Sequence, residues 1–378
     1  MATGTDAATG KGSVGTFTLS GGTFRQRDVA NVEDANTWSN LSTQPNTTST
    51  FNISGGIASF HSRLLINNGG KSATVNQTGG LLEVRNGDLT LGDNTAGAAG
   101  APPSATPNIV YNLSGGTVQT LTPGRQIQVG QWERSNTELN VSGTGTMIGS
   151  GDIIVGNGNP AAGVSTTIGT VKQTGGSVQV AGNLVIAASV NATGTYNLGG
   201  GVLDLTDGQL NFGAGIAAFN FTGGRLQGAN TVNTALTQLG GVFAVGGTLT
   251  AGGVSIVNNN YSLQAGGTLE FNITAGVADQ LVVNGAVTLG GGLDIVGGSA
   301  IPVPGRIILA NDGSDLVTGT FAGRPNGVPF ADDGGVYTVF YNAGDGNDVL
   351  LVPEPASAAL FVAGMGLCGL FGRRRRTA

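Results

Sequence analysis

The sequence predicts an all-β fold, a parallel β-helix (solenoid) in which each coil contributes about three strands. Three observations carry that prediction. The first is the stretch from Gly194 to Gly213, GTYNLGGGVLDLTDGQLNFG, which reads as three short strands with two corners between them. Tyr196/Leu198, Leu203/Leu205 and Leu210/Phe212 alternate with polar or small neighbours, and Gly199 to Gly201 and Thr206 to Gly208 interrupt the alternation. Period-2 alternation bounded by Gly clusters marks a half-buried strand. The second is recurrence: Gly56 to Gly80, Gly176 to Gly200 and Gly200 to Gly224 are each 24 residues apart. No single copy can bury its apolar face, so the copies must stack. The third is composition. The 69 Gly follow no triplet period, which excludes collagen, and the abundance of Val, Ile, Thr and Asn favours strands over helices.

The first strand of each coil is the plainest. It starts at Thr16-Phe-Thr-Leu-Ser-Gly-Gly22 and returns at Phe51-Asn-Ile-Ser-Gly-Gly56, Val75-Asn-Gln-Thr-Gly-Gly80 and Tyr111-Asn-Leu-Ser-Gly-Gly116. It comes back at Leu139-Asn-Val-Ser-Gly143, Val171-Lys-Gln-Thr-Gly-Gly176, Tyr196-Asn-Leu-Gly-Gly-Gly201 and Phe219-Asn-Phe-Thr-Gly-Gly224. Second strands carry Leu82/Val84 and Val178/Val180; third strands carry Leu89/Leu91, Ile127/Val129, Ile153/Val155 and Leu184/Ile186. Gly-Gly at the first corner suits positive φ and close approach of stacked backbones. A leucine-rich horseshoe has a similar period, but its L-x-x-L-x-L-x-x-N framework is missing.

Along the chain, residues 1–15 read as a lead-in and 16–260 as the β-helix repeats. Insertions at 29–50, 92–108, 131–136 and 157–169 are expected at one corner, between the third strand and the next first strand. Residues 261–352 change pattern, through Asp279-Gln-Leu-Val-Val-Asn-Gly and Gly-Gly-Gly-Leu-Asp-Ile295, and read as a C-terminal β section that closes the stack. Residues 353–378 form a separate tail. The formal charge is -6, and four of the sixteen basic residues are Arg373 to Arg376, so the body is still more acidic. Such a body lacks the cationic surface that nucleic-acid binding needs to replace counterions. The only Cys is Cys368 in the tail, so no disulfide framework exists within one chain.

The tail is the most specific stretch. Val352-Pro-Glu-Pro355 precedes an apolar run from Ala356 to Gly372, followed by Arg373, Arg374, Arg375 and Arg376. As a helix, that run spans about 25 Å, a little short of a bilayer core of about 30 Å. The Arg cluster would stay cytoplasmic, with the β-helix on the other side. Pro353, Glu354 and Pro355, the short apolar span and the terminal Arg cluster together resemble the PEP-CTERM sorting signal of Gram-negative surface proteins. The resemblance implies a C-terminal transmembrane sorting helix, an exosortase-type membrane protease as partner, transient anchoring in the inner membrane, and release to the envelope surface or extracellular matrix. It also implies a Sec signal peptide, whereas Met1-Ala-Thr-Gly-Thr-Asp has neither a basic start nor an apolar core. In the body, the Gly-Gly coils, the 279–295 segment and Tyr341-Asn-Ala-Gly-Asp-Gly-Asn-Asp-Val349 resemble autotransporter-associated β-strand repeat proteins, which implies a right-handed parallel β-helix.

Sites for chemistry are sparse. Glu83 and Asp204 share the outward position of the second strand but lie four coils, or roughly 19 Å, apart at the usual strand spacing. Glycosidase carboxylates sit about 5–9.5 Å apart. Gln119 and Gln179 occupy the position between them, so no acidic ladder is expected. His61 is the only histidine and has no motif around it. Gly344-Asp-Gly-Asn-Asp-Val-Leu350 resembles part of a single calcium-binding nonapeptide repeat, and such sites need adjacent turns; it reads as a structural turn, with Asp345, Asn347 and Asp348 the candidates for a metal site otherwise. No cofactor is expected, and the chain is not read as an enzyme.

Two surface features remain. Asn52, Asn76, Asn112, Asn140, Lys172, Asn197 and Asn220 recur at the outward position of the first strand, with Ser54, Thr78, Ser114, Ser142, Thr174 and Thr222 two residues later. Stacked coils would turn them into amide and hydroxyl columns, which stabilise stacking; a glycan- or ice-facing surface and lateral packing between molecules are the alternatives for that face. Trp38 and Trp132 fall in insertions at the same expected corner and are the candidate glycan contacts. The expected function is an exported structural or adhesive protein of the cell surface or matrix. The alternatives are a polysaccharide-binding β-helix and, behind it, a β-helix lyase or hydrolase.

Overall fold

The computed structural model describes residues 13–26, 39–41, 47–68, 71–93, 108–132, 134–159, 166–247, 251–274, 277–297, 305–312, 317–333 and 335–354. These form an all-β solenoid whose repeat strands pair in parallel with their counterparts one coil on. Val14–Leu19 pairs with Thr48–Ile53, which pairs with Ser72–Val84, which pairs with Ile109–Thr120, without loss of register in the first strand. The same ladder continues through Asn136–Val141, Thr167–Val180, Ala192–Asp204 and Ile216–Gln227. A separate ladder stacks the third strands, from Ser39–Asn40 and Leu64–Asn68 to Gln280–Val283 and Arg306–Asn311. Two large sheets result, one from the first and second strands together and one from the third.

The first corner is therefore a kink and not a loop. In Ser72–Val84 the chain passes from first to second strand with only a shift of register at Gln77 to Leu81. Gly116 sits in this kink at φ +75°, and a Cβ there would meet the Gly80 carbonyl oxygen at 2.4 Å. Backbone stacks directly on backbone, which only glycine permits. The triple Gly at 199–201 leaves the kink the same length: three residues separate Leu198 from Val202, as three separate Gln173 from Ser177, and Gly201, the counterpart of Gly176, takes the positive φ. The equivalent glycines are therefore Gly176, Gly201 and Gly224, spaced 25 and 23 residues apart.

Inward alternation builds one continuous apolar core from Leu19 to Leu351. Equivalent positions stack: Phe51, Val75, Tyr111, Leu139, Val171 and Tyr196 lie in one register column, all buried. Such stacking satisfies the coil faces that no single repeat could bury.

The parallel ladder crosses residue 261 without interruption. Tyr261–Thr274 pairs with Leu236–Ala244 and then with Val287–Leu289 and Gly292–Val296, and the last parallel rung is Thr318–Gly319. The closing element comes after that. Pro329–Asp332, Gly335–Ala343 and Asp348–Pro353 form an antiparallel sheet, and the last of these strands pairs antiparallel with Arg306–Asn311. Phe330, Tyr337, Val339, Val349 and Leu351 of this sheet are buried and seal the end of the core.

One of the four expected insertions is placed differently. Ser39–Asn40 is a third-strand rung inside the 29–50 insertion, paired in parallel with Leu64–Leu65. A two-residue rung without aliphatic alternation leaves no periodic signal. Of the tail, Pro353 ends the last strand opposite Tyr337, and the Glu354 N–H donates to the Val336 carbonyl at 2.8 Å. The Thr338 hydroxyl donates to the Glu354 carboxylate. Pro355, the expected helix and Arg373 to Arg376 lie outside the described residues. Among the described residues no helix is long and apolar enough to cross a membrane.

Candidate functional site

The first-strand amides form the expected column. Asn76 Nδ2 donates to Asn52 Oδ1, Asn112 to Asn76 and Asn140 to Asn112, each at 2.9 Å, and Asn220 donates to Asn197 at 2.7 Å. Every bond runs from the later coil to the earlier one. Aligned amides polarise one another, which leaves the oxygen end of the first run at Asn140 electron-rich. The next position is Lys172, whose ammonium lies 2.7 Å from Glu138. The hydroxyl column behaves differently: Ser114 and Thr222 donate to main-chain carbonyls of the preceding coil, at 3.5 and 3.4 Å. A second amide ladder, absent from the sequence reading, runs along the corner after the third strand. Asn233 donates to Asn211 and Asn258 to Asn233 at 2.6 Å, and Asn284 to Asn258 at 2.8 Å.

Burial alone would raise the Glu138 carboxyl, but hydrogen bonds from Lys172 and Asn140 and the Lys172 charge outweigh it and hold the group below its ordinary value. A depressed carboxyl stabilises the fold above its unfolded pKa of about 4.3 and loses that contribution as pH falls through the folded value. The Lys172 side chain is half exposed, so the effect of the pair on stability is small. Lys172→Ala is expected to move the Glu138 titration upward, read by carboxyl-carbon NMR; an unmoved midpoint would contradict the pairing.

The remaining candidates do not assemble into a catalytic group. Glu83 is buried at the outward position, accepting from Ser59 Oγ at 2.7 Å and Arg85 Nη1 at 3.0 Å. Register carries Glu83 through Gln119, Ile148 and Gln179 to Asp204, so the two carboxylates are separated by four rungs. Asp204 accepts from Gln227 Nε2 and the Thr206 N–H, both at 2.9 Å. His61 is half-buried at the corner after Ile57–Phe60, its carbonyl accepting from the Asn86 N–H at 2.8 Å. Asp345 and Asn347 lie in the turn joining Gly335–Ala343 to Asp348–Pro353, and Asp348 Oδ1 accepts from the Asn311 N–H at 3.0 Å. Burial raises the Asp348 carboxyl, the Asn311 bond opposes the rise, and Asp345 and Asp312 add to it. Among the described residues no group of three or more His, Cys, Asp or Glu side chains is placed to hold a metal ion.

Trp132 stands apart. It follows the third strand Ile127–Gln131 with φ +59°, and Arg134 beyond it has the same φ. A non-glycine residue in that region costs on the order of 1–3 kcal/mol and persists only where its surroundings hold it. Here the Trp132 N–H donates to the Asn157 carbonyl at 2.8 Å, and the Thr167 hydroxyl donates to the Trp132 carbonyl. The residue remains 36% exposed. It borders a shallow cleft of about 190 Å³ lined by Gln131, Trp132, Asn157, Gly158 and Asn159. Trp38 lies outside the described residues. No family model matches the chain, and none of the curated proteins matches it in sequence.

Proposed function

We propose that this chain is an exported structural or adhesive element of the cell surface or extracellular matrix, built as a right-handed parallel β-helix and working by presenting long polar faces. The observation that carries the reading is the pair of amide ladders, along the first strand and along the corner after the third. Side chains engaged with their own neighbours stiffen the rod, and nothing in them is arranged to make or break a bond. The resemblance of Pro353, Glu354 and Pro355, the apolar run and Arg373 to Arg376 to a PEP-CTERM signal supports an exosortase-type protease as partner and a transient membrane stage. Mass spectrometry of the protein recovered from the envelope and medium tests this reading. A mature form ending near residues 353–355 is expected. A full-length chain confined to the cytoplasm would overturn it. The exposure of Trp132 beside an amide-lined cleft favours a second reading, that adhesion is to polysaccharide.

A further inference from the structure

The geometry points to the Trp132 cleft as a binding site for one pyranose ring of a neutral polysaccharide, with the indole stacked on the C–H face of the sugar. The inference rests on the adhesive reading above and names the chemical class that this surface holds. The electron-rich face of an indole attracts the polarised C–H groups of a sugar, and the flat contact displaces poorly bound water. Trp132 lines the cleft and is 36% exposed, where a core tryptophan would be covered. The cleft of about 190 Å³ admits one ring and stays open at the sides, so a longer chain can run past.

The wall is preorganised. Trp132 is fixed by main-chain bonds to its own coil's neighbours, with its N–H on the Asn157 carbonyl at 2.8 Å. Asn157 is itself clamped, its Nδ2 donating to Gln128 Oε1 at 3.0 Å and its Oδ1 accepting from Ser189 Oγ at 3.1 Å. Asn191 Nδ2 donates to the Asn159 carbonyl at 3.0 Å, so three successive coils contribute to the wall. Gln131 Oε1 accepts from the Arg63 guanidinium, which leaves the Gln131 amide with donor capacity for a sugar hydroxyl. Holding the contact groups in place before the ligand arrives removes part of the ordering cost of binding.

Charge selects against acidic glycans. Among the described residues no ionisable side chain lines the cleft, and the chain carries a net -6. The Arg63 guanidinium beside it is already engaged with Gln131 and Thr90. A polyanion would meet repulsion at long range without a cation in the cleft lining to offset it.

The test uses affinity gel electrophoresis of the purified full chain, with a mixed-linkage β-glucan, a glucomannan, a galactomannan or polygalacturonate cast in the gel. At least one neutral polymer should retard the protein, and polygalacturonate should not. Trp132→Gly should weaken retardation at least tenfold while leaving the thermal midpoint equal or higher, since glycine accepts φ +59° without strain. A purely structural tryptophan would instead lower the midpoint when removed and leave retardation alone. Retardation that survives Trp132→Gly, absence of retardation by all three neutral polymers, or stronger binding to polygalacturonate would each overturn the proposal. The assay is independent of cellular location and tail processing, so its failure is separable from failure of the surface-protein reading.

Discussion

Asp279→Ala is expected to destabilise the protein by about 3 kcal/mol or more, because a buried donor left unpaired costs about 1–3 kcal/mol and several would be orphaned together. Asp279 is fully buried. Its Oδ1 accepts from the Gly252 and Gly253 N–H groups, and its Oδ2 from the Asn272 N–H and Nδ2, all at 2.9 Å. The Asp279 N–H donates back to the Asn272 carbonyl at 3.0 Å. One carboxylate thus ties the hairpin of Ile273–Thr274 and Val277–Ala278 to the glycines that lead into the third strand Val254–Val257. Burial raises the Asp279 carboxyl, and the four bonds from Asn272, Gly253 and Gly252 hold that rise down. Asp279→Asn should be milder, about 1–3 kcal/mol, since one oxygen keeps its two donors while the new amide faces N–H groups it cannot pair with. Denaturant unfolding gives the energies, and hydrogen exchange at Gly252 and Gly253 gives the location. A shift below about 1 kcal/mol for the alanine variant, with unchanged exchange, would deny the clamp its role.

The second large effect is expected inside the core. Tyr111 donates to Gln77 Oε1 at 2.5 Å, Tyr196 to Gln173 at 2.6 Å and Tyr261 to Gln238 at 2.7 Å. Each Gln turns its amide to a main-chain carbonyl: Thr117, Val202 and Thr268 accept at 2.8, 2.8 and 3.0 Å. All three phenols are fully buried, and burial pushes them far above the ordinary tyrosine range, so they remain neutral donors. Gln173→Leu would strand the Tyr196 hydroxyl and the Val202 carbonyl, at a cost of about 1–3 kcal/mol. Tyr196→Phe should cost about 1–2 kcal/mol, and the double variant less than the sum by about 1 kcal/mol. A double-mutant cycle on the unfolding midpoint measures the coupling. Strict additivity would mean that the hydroxyl and the amide do not depend on each other.

These pairs show where sequence reading stopped. The alternation of Val75, Tyr111 and Val171 announced the core and the strand-one register, and the Gly pairs announced the kink. The inward Gln was legible in principle. Gln77, Gln173 and Gln238 each precede a coil whose first strand carries an inward Tyr, so a polar residue on the apolar face came with its partner already written one repeat later. Reading strands one at a time hides that, because the bond runs between coils. The Asn52-to-Asn140 column was readable since its residues recur at a fixed offset from Gly-Gly. The Asn211, Asn233, Asn258 and Asn284 column was not, because its neighbours Phe212, Thr234, Asn259 and Gly285 share no pattern. Asp279 was visible only as part of a resembling segment, two of its four donors lying a full coil upstream. For the candidate site, the sequence singled out Trp132 as an aromatic in an insertion. Its φ and the amides that surround it arise from coils brought together only by folding.

The backbone-on-backbone kink has an evolutionary corollary. Since Gly116 rests on Gly80 with no room for even a methyl group, and Gly201 on Gly176 likewise, material cannot be added at that bend. Whole turns can be, because unequal crossing-over between neighbouring repeats delivers an intact bend together with its seat. Such a molecule gains or loses length in quanta of one turn, while inserted segments enter where the chain passes from second to third strand or from third strand to the next first strand.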